Sequence, residues 1–251
     1  MAGHSKWANI QHRKKAQDNK RGKVFTKVIR EISVATKLGG ADLSSNSRLR
    51  LAVSKANSSN VPKDTVERAI KKASGQNNDN YEEITYEGYG PKGIAVIMDC
   101  LTDNKNRTVS EIRQIFSKNG GSIAESGSVS HSFQRKGELI YKADTNLESK
   151  IFDLAVEVGA DDILNEDQNY IIYCDPNKII KIKEKIAELS IEPMSISLTW
   201  ISSSKISLNK DEGKKLFNLI NQLEDNEDVQ NISSNYDISK EVFDTIDFDN
   251  Y

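Results

Sequence analysis

The spacing of apolar residues changes near residue 80, and this change limits the folds that the 251-residue chain can adopt. Before it, apolar residues recur every three or four positions, as in "KVFTKVIREISVATKL" and "VERAIKKA", which is typical of amphipathic helices. After it, "EEITYEGYGPKGIAVIMDCLT" reads as a strand, a Gly/Pro turn and a long buried strand. The pattern predicts an α+β fold with a helical domain at the N-terminus.

Three helices are predicted in the first 75 residues. The first ends at Gly39 and Gly40, the second spans "SRLRLAVSKAN", and the third begins near Pro62 and ends before Gly75. The polar run "GQNNDN" then breaks the pattern. We therefore place the first domain boundary there and predict a helical domain over residues 1–79.

Two α/β domains are predicted in the rest of the chain. In the first, "NRTVSEIRQIFSKNGG" predicts a helix with a capping box of Thr108 and Glu111, and a strand over residues 127–137 follows. Residues 137–203 then give the order strand, helix, strand, strand, helix, strand, a complete split β-α-β (ferredoxin-like) unit. The remaining helix and strand complete the first unit. We predict a discontinuous domain of residues 80–136 and 204–251, with residues 137–203 inserted into it.

Several classes of protein are disfavoured by the sequence. The longest apolar run, residues 94–100, is far shorter than the roughly 20 residues of a membrane span. No apolar segment typical of a secretory signal follows the basic N-terminus, although a transit peptide is harder to dismiss. Cys100 and Cys174 lie in strand-like runs and are expected to be buried thiols in a reducing compartment. These features favour a cytoplasmic protein.

No motif predicts a catalytic residue, a metal ligand or a cofactor. Gly88, Gly90 and Gly93 match a dinucleotide fingerprint in letters, but a strand follows them where a helix N-terminus is needed, so a turn is favoured. "KGIAVIM" begins like an RNA-stacking strand but carries aliphatic residues at the stacking positions, which favours a core strand. The three histidines lack the spacing of metal ligands. Catalysis by residues distant in sequence is the remaining enzyme hypothesis.

The charge is distributed very unevenly along the chain. Residues 1–72 hold 17 Lys and Arg against five Asp and Glu, a net charge of +12, and the remainder carries −14. A clustered positive field attracts polyanions, so the N-terminal domain is predicted to bind nucleic acid. Neither a membrane nor a small-molecule substrate is expected as a partner. The acidic α/β domains could bind a protein or act as spacers.

The candidate binding residues are the cations of the basic arm, Lys6 to Arg21, and of the helices that follow it. Trp7 within the arm could stack on a base or pin the arm to the protein, and both roles are kept. The cations position a protein on phosphates, and no spacing typical of a base-reading motif accompanies them. The candidates are Lys6, Trp7, His12, Arg13, Lys14, Lys15, Lys20, Arg21, Lys23, Lys27, Arg30, Arg48, Arg50 and Lys55, with Arg68, Lys71 and Lys72 continuing the charge.

Long stretches of the chain resemble the YebC/PmpR family, which also contains a mitochondrial translational activator of cytochrome oxidase subunit one. They are "MAGHSKWANIQHRKKAQDNKRGKVFTKVIREI", "VPKDTVERAIKK", "YEEITYEGYGPKGIAVIMDCLTDNKNRT" and "NGGSIAESGSVSHSF". The resemblance implies one helical and two α/β domains, and a bacterial cytoplasmic form. Ser47 stands where the family commonly has proline.

The resemblance also implies a function and a second candidate site. Family members are described as probable DNA-binding transcriptional regulators, and some act in translation at the ribosome. It supports the basic arm as a site and adds the "DNKNRT" loop, where Lys105 and Arg107 are expected just before a helix N-terminus that favours anions. We expect a non-enzymatic regulator that binds DNA, with a translation factor that binds ribosomal RNA as the alternative.

Overall fold

The computed structural model describes residues 21–75, 81–166 and 168–246. Contacts between Cα atoms divide these residues into two compact units. Residues 24–75 and 135–199 form one unit, and residues 81–134 and 200–246 form the other. The predicted α+β fold is confirmed, whereas the three predicted domain boundaries stay a prediction.

Three helices that share one core are formed by residues 21–75, here named the helical region. They are α1 (Arg21–Gly39), α2 (Ser47–Ser58) and α3 (Lys63–Ala73). Their buried residues recur at helical spacing, as the sequence predicts. The core is formed by Val28, Ile32, Ala35, Leu49, Ala52, Ala56, Val61, Val66 and Ala69.

Asn46 fixes the turn between α1 and α2. It is buried, and its Nδ2 donates hydrogen bonds to the carbonyl oxygens of Ala35 and Gly40 at 2.8 and 2.7 Å. Its Oδ1 accepts from the backbone N–H of Leu49 at 2.9 Å, which caps α2. Ser47 is thus the first helical residue, a position that proline also suits, so its replacement of proline leaves the helix start intact.

The unit of residues 81–134 and 200–246 is built on a four-stranded sheet. The strands are β1 (Glu82–Tyr89), β2 (Ala95–Thr102), β3 (Ser122–Ala124) and β9 (Val229–Ser234), in the order β3-β1-β2-β9. All the neighbours pair antiparallel. Helices α4 (Lys105–Lys118) and α7 (Lys210–Asp225) contribute to the core beside this sheet, together with Val96, Met98 and Cys100 of β2.

The Gly/Pro turn between β1 and β2 is confirmed, because Pro91–Gly93 form a single 3-10 turn and Gly90 N–H donates to the Ile94 carbonyl at 2.7 Å. Gly88 is required for packing, since a Cβ there would lie 2.7 Å from the Phe116 ring and 2.8 Å from the Ser122 carbonyl. A short parallel pair, β8 (Ile206–Ser207) and β10 (Tyr236–Asp237), and α8 (Lys240–Asp244) complete this region.

The other four-stranded sheet has the order β5-β6-β4-β7. Its strands are β4 (Phe133–Lys142), β5 (Ala160–Glu166), β6 (Asn169–Cys174) and β7 (Ser195–Ser202). Helices α5 (Glu148–Val158) and α6 (Ile179–Ala187) supply residues to its core, and Leu51 of α2 packs against the same core. The predicted order strand, helix, strand, strand, helix, strand is confirmed.

Three local predictions are wrong. Residues 127–137 are not one strand, because β4 begins at Phe133 and continues to Lys142 as a single strand. The capping box of Thr108 and Glu111 is absent, because α4 begins one turn earlier and Asn104 caps it. Asn104 Oδ1 accepts from the Arg107 N–H at 3.1 Å, so the stronger capping residue of the "DNKNRT" run defines the helix start. Lys105 and Arg107 consequently lie inside the first turn of α4 and not before it.

The two cysteines are both buried thiols, as predicted. Burial is the main cause that raises the pKa of Cys174, to about 12, so its thiolate is strongly disfavoured. Among the residues that the structure describes, no helix is long and apolar enough to cross a membrane.

Candidate nucleic-acid interface

Residues 1–20 lie outside the described residues, and with them lie the candidates Lys6, Trp7, His12, Arg13, Lys14, Lys15 and Lys20. Arg21 is the first residue of α1. The structure therefore bears on the cations from Lys23 onward.

The cations of α1 do not form an uninterrupted exposed stripe. Lys23 and Lys37 near the two ends of the helix are exposed, whereas Lys27 and Arg30 between them are half-buried. Val34, four residues after Arg30 and three before Lys37, lies on the same side of the helix and is only 5% exposed. The exposed cations of α1 described by the structure thus lie near its ends, and Lys23 among them pairs with Asp225 at 3.4 Å.

The arginines of α2 stabilise the helical region itself. Arg48 makes a two-pronged ion pair with Glu31 of α1, with Nε to Oε1 at 2.7 Å and Nη2 to Oε2 at 3.1 Å. Arg50 Nη1 donates to the carbonyl oxygens of Leu43 and Ser44 at 2.7 and 2.8 Å, which holds the loop before α2. Both guanidinium groups are half-buried and already bonded within the protein. Lys55, in the last turn of α2, is half-buried as well.

The cations of α3 lie at its surface. Arg68 pairs with Asp64 one turn earlier at 2.7 Å, in a contact whose two side chains are each about 70% exposed. Such an exposed pair contributes little stability and can be exchanged for a phosphate. Lys71 in the last turn is exposed, and so is Lys72. The exposed cations of residues 21–75 are therefore at both ends of α1 and along α3.

Lys105 and Arg107 are bonded to carboxylates of the same unit. Lys105 pairs with Glu82, and Arg107 Nη2 lies 2.7 Å from Asp103 and 3.0 Å from Asp228. The hydrogen bond with Asp228, followed by that with Asp103, raises the pKa of Arg107 further above its usual value. Lys105 is thus in an exposed pair, whereas Arg107 is also held by the buried Asp228, and their role in phosphate binding stays a prediction.

Asp228 is a buried carboxylate that the sequence analysis missed. It is 3% exposed and accepts hydrogen bonds from the hydroxyls of Thr102 and Thr108 at 3.1 and 2.7 Å, in addition to that from Arg107. Thr108 Oγ1 also lies 2.7 Å from Thr102 Oγ1. The network joins the end of β2, the start of α4 and the start of β9. The residues of this network lie far apart in sequence, so no local sequence motif predicts the network.

Glu87 is a second buried carboxylate without a sequence signal, and it holds the loop of residues 125–131, here named the Glu87 loop. It is 4% exposed and accepts hydrogen bonds from the backbone N–H groups of Gly127, Val129 and Ser130 at 2.8, 2.6 and 3.0 Å. Burial raises the pKa of Glu87, but the three N–H donors outweigh it and hold the pKa below its ordinary value. The carboxylate is thus an ionised anchor for the loop.

Comparison with known proteins decides the family. The TACO1/YebC N-terminal domain profile matches residues 5–76, and the profile of the second and third domains matches residues 81–236. The chain belongs to the TACO1/YebC family. Its relatives include proteins named "probable transcriptional regulatory protein" from Syntrophotalea carbinolica, 50% identical over 96% of this chain and 97% of the relative. One from Methylococcus capsulatus is 50% identical over 96% of this chain and 98% of the relative.

A solved structure supports the fold of this TACO1/YebC member. The crystal structure of a conserved hypothetical protein from Aquifex aeolicus matches with a TM-score of 0.81 and 40% sequence identity, covering 90% of this chain and 93% of that one. Within residues 21–75, 81–166 and 168–246, no group of three or more His, Cys, Asp or Glu side chains is arranged to hold a metal ion.

Proposed function

We propose that the chain is a non-enzymatic regulator of gene expression that binds nucleic acid through its N-terminal cations. The observation that carries the proposal is the net charge of +12 on residues 1–72, set against −14 on the rest of the chain. Exposed cations at the ends of α1 and on α3 support it. The positive field of residues 1–72 attracts phosphates, whereas the acidic remainder of the chain repels them.

DNA is the proposed target, and transcription is the proposed process. The relatives at 50% identity carry the name of probable transcriptional regulatory proteins. Lysines and arginines at helix surfaces contact phosphates, which position a protein but carry no base sequence. We therefore propose binding by charge and shape, in the cytoplasm, with the acidic α/β regions available to a protein partner.

Ribosomal RNA is the second candidate target, in a translation factor. The matching family profiles are shared with TACO1, and the family resemblance includes a translational activator. The same cations fit ribosomal phosphates equally well, because charge does not distinguish the two polymers.

Sequencing of nucleic acid crosslinked to the full chain in cells tests the two targets. Promoter DNA is the result that we expect, and a predominance of ribosomal RNA would replace the first target with the second. A variant with Arg13, Lys14 and Lys15 changed to Ala serves as the control, since it should recover much less nucleic acid of either kind. Equal recovery by the variant would contradict binding through the arm.

An enzyme is the third hypothesis, and purified protein supplied with metal ions tests it. We expect no hydrolase, nuclease or transferase turnover. Reproducible turnover that a point mutation abolishes would overturn the non-enzymatic proposal.

A further inference from the structure

The Glu87 loop is held by apolar contacts as well as by hydrogen bonds to the Glu87 carboxylate. Val129 and Phe133 are 2% and 7% exposed and pack with Ala95 and Ile97 of β2 and with Trp200 of β7. Because hydrogen bonds and apolar contacts both hold it, the loop presents a fixed surface. Preorganised surfaces bind with a smaller loss of conformational entropy than flexible loops do.

The outer side of the Glu87 loop is open and has little side-chain bulk. Glu125, Ser126 and Gly127 are exposed. Gly127 has φ of +89°, and a Cβ built there would have no heavy atom within 4 Å. A ligand can therefore approach the loop backbone closely at this point.

Two exposed aromatic rings are tied to the loop by their polar ends. Tyr89 of β1 is 39% exposed, and its hydroxyl donates to the Ser128 carbonyl at 3.1 Å. The exposed ring of His131 has its Nδ1 3.3 Å from the Gly127 carbonyl. A carbonyl oxygen only accepts, so this hydrogen bond requires a proton on Nδ1. Both rings are thus oriented by the backbone of one loop.

We propose that Tyr89, the Glu87 loop and His131 form a binding surface for an unpaired nucleobase. This inference rests on the proposed function. It adds a base contact in the unit of residues 81–134 and 200–246 to the phosphate contacts of the helical region. Unpaired bases stack on aromatic side chains, and they hydrogen-bond to polar groups along their exposed edges. The rings supply the first interaction. The exposed Ser126 supplies the second, and the Gly127 carbonyl, which has a second lone pair beside its contact with His131, is a further acceptor.

The composition of the surface favours a base over an apolar peptide or a phosphate. The aliphatic residue of the loop, Val129, is buried and offers no apolar contact to a partner. The loop contains Glu125 and no Lys or Arg, so it does not provide the charge that a phosphate requires. A neutral, planar ligand with hydrogen-bonding edges matches what remains exposed.

Equilibrium binding of the full chain to three probes tests the proposal. The probes are an RNA hairpin with 2-aminopurine in its loop, a single-stranded DNA with the same base, and a fully paired DNA duplex. Tyr89→Ala should weaken binding to a probe with unpaired bases roughly tenfold, and His131→Ala should act in the same direction. Binding to the duplex should not change. Tyr89→Phe, which keeps the ring but loses its hydrogen bond to Ser128, should weaken binding less than Tyr89→Ala.

The 2-aminopurine signal and a crosslink provide readouts that do not depend on a folded variant. Stacking should quench the fluorescence of the base on binding to wild-type protein. A 5-bromouracil probe irradiated with wild-type protein should crosslink to the peptides that contain Tyr89 or His131. The comparison between the RNA and DNA probes identifies whether the surface prefers RNA or DNA.

Three results would overturn the inference. Wild-type protein that binds all the probes but crosslinks only through other peptides would show that the base lies elsewhere. Equal affinities of wild type, Tyr89→Ala and His131→Ala for the probes with unpaired bases would also show that the base lies elsewhere. Variants that lose binding to a protein partner, and to none of the probes, would assign the surface to protein. These outcomes leave the phosphate proposal standing, whereas wild-type protein that binds none of the probes contradicts both.

Discussion

Acidic side chains have different tasks in the helical region and in the unit of residues 81–134 and 200–246. In the helical region Glu31 and Asp64 lie near the surface and pair with arginines. In the other unit Glu87 and Asp228 are buried and accept several hydrogen bonds each. The acids of the helical region thus offset positive charge at its surface, whereas the fold of the other unit depends on the exact placement of two carboxylates.

The largest expected effect concerns charge in the basic arm. Changing Arg13, Lys14 and Lys15 together to Ala should weaken nucleic-acid binding roughly a hundredfold or more at 0.1 M salt and lower the salt slope by about three, because three phosphate contacts are lost. The loss should be about equal for all sequences. Fluorescence anisotropy with several oligonucleotides measures it.

A matched control removes three cations elsewhere. Changing Lys210, Lys214 and Lys215 of α7 to Ala alters the net charge equally, and affinity should stay close to that of the wild type. An equal loss in this control would mean that overall charge, and not the arm, determines binding.

The next effect concerns the buried carboxylate of Asp228. Asp228→Ala should lower the free energy of unfolding by about 3 kcal/mol, because two threonine hydroxyls and Arg107 lose their common partner. Urea denaturation measures the change. Asp103→Ala removes the other, exposed partner of Arg107 and should cost less than about 1 kcal/mol. Equal costs would show that the buried network is unimportant.

Glu87 should have a smaller effect that depends on pH. At neutral pH, Glu87→Gln should lower the free energy of unfolding by about 2 kcal/mol, because the amide NH₂ would face backbone N–H donors. The pKa of Glu87 is lowered on folding, so its contribution is present above the unfolded pKa, about 4.3, and is lost as pH falls through the lower folded value. The gap between wild type and variant should therefore narrow in acid.

Urea denaturation from pH 7 down to pH 3 follows that gap. Glu125→Gln, in the same loop but exposed, is the control and should match the wild type at every pH. A gap that stays constant in acid would contradict an ionised anchor at position 87.

The smallest expected effect is the difference in nucleic-acid affinity between variants of two cations in the helical region. Lys37→Ala should reduce nucleic-acid affinity by a few fold, since one exposed cation contributes about one unit of salt slope. Arg48→Ala should reduce it less, because its guanidinium is bonded to Glu31, and should instead cost roughly 1 kcal/mol of stability. The reverse order would place Arg48 at the interface.

Local patterns in the sequence predicted most of the fold. The helical core from Val28 to Ala69, the β1–β2 turn and the strand and helix order of residues 137–203 follow from spacing and from turn residues. The start of α4 was missed because Asn104 and Thr108 both suit a cap. Asn104 is the stronger capping residue, and Thr108 is instead buried against Asp228.

The candidate site was predicted less completely than the fold. The sequence identifies the cations, but the partners that occupy Arg48, Lys105 and Arg107 come from other elements. The burial of Val34 between cations is likewise a tertiary effect that the helical period does not contain. The anchoring of the Glu87 loop joins residues about 40 positions apart, beyond any local motif.

The salt dependence of nucleic-acid binding by the wild-type chain is the decisive test of whether the N-terminal cations bind phosphates. If the N-terminal cations contact about 6 to 10 phosphates, affinity should fall by roughly three to five decades between 50 and 200 mM salt. Measured affinities that stay nearly constant over this range would contradict binding through phosphates.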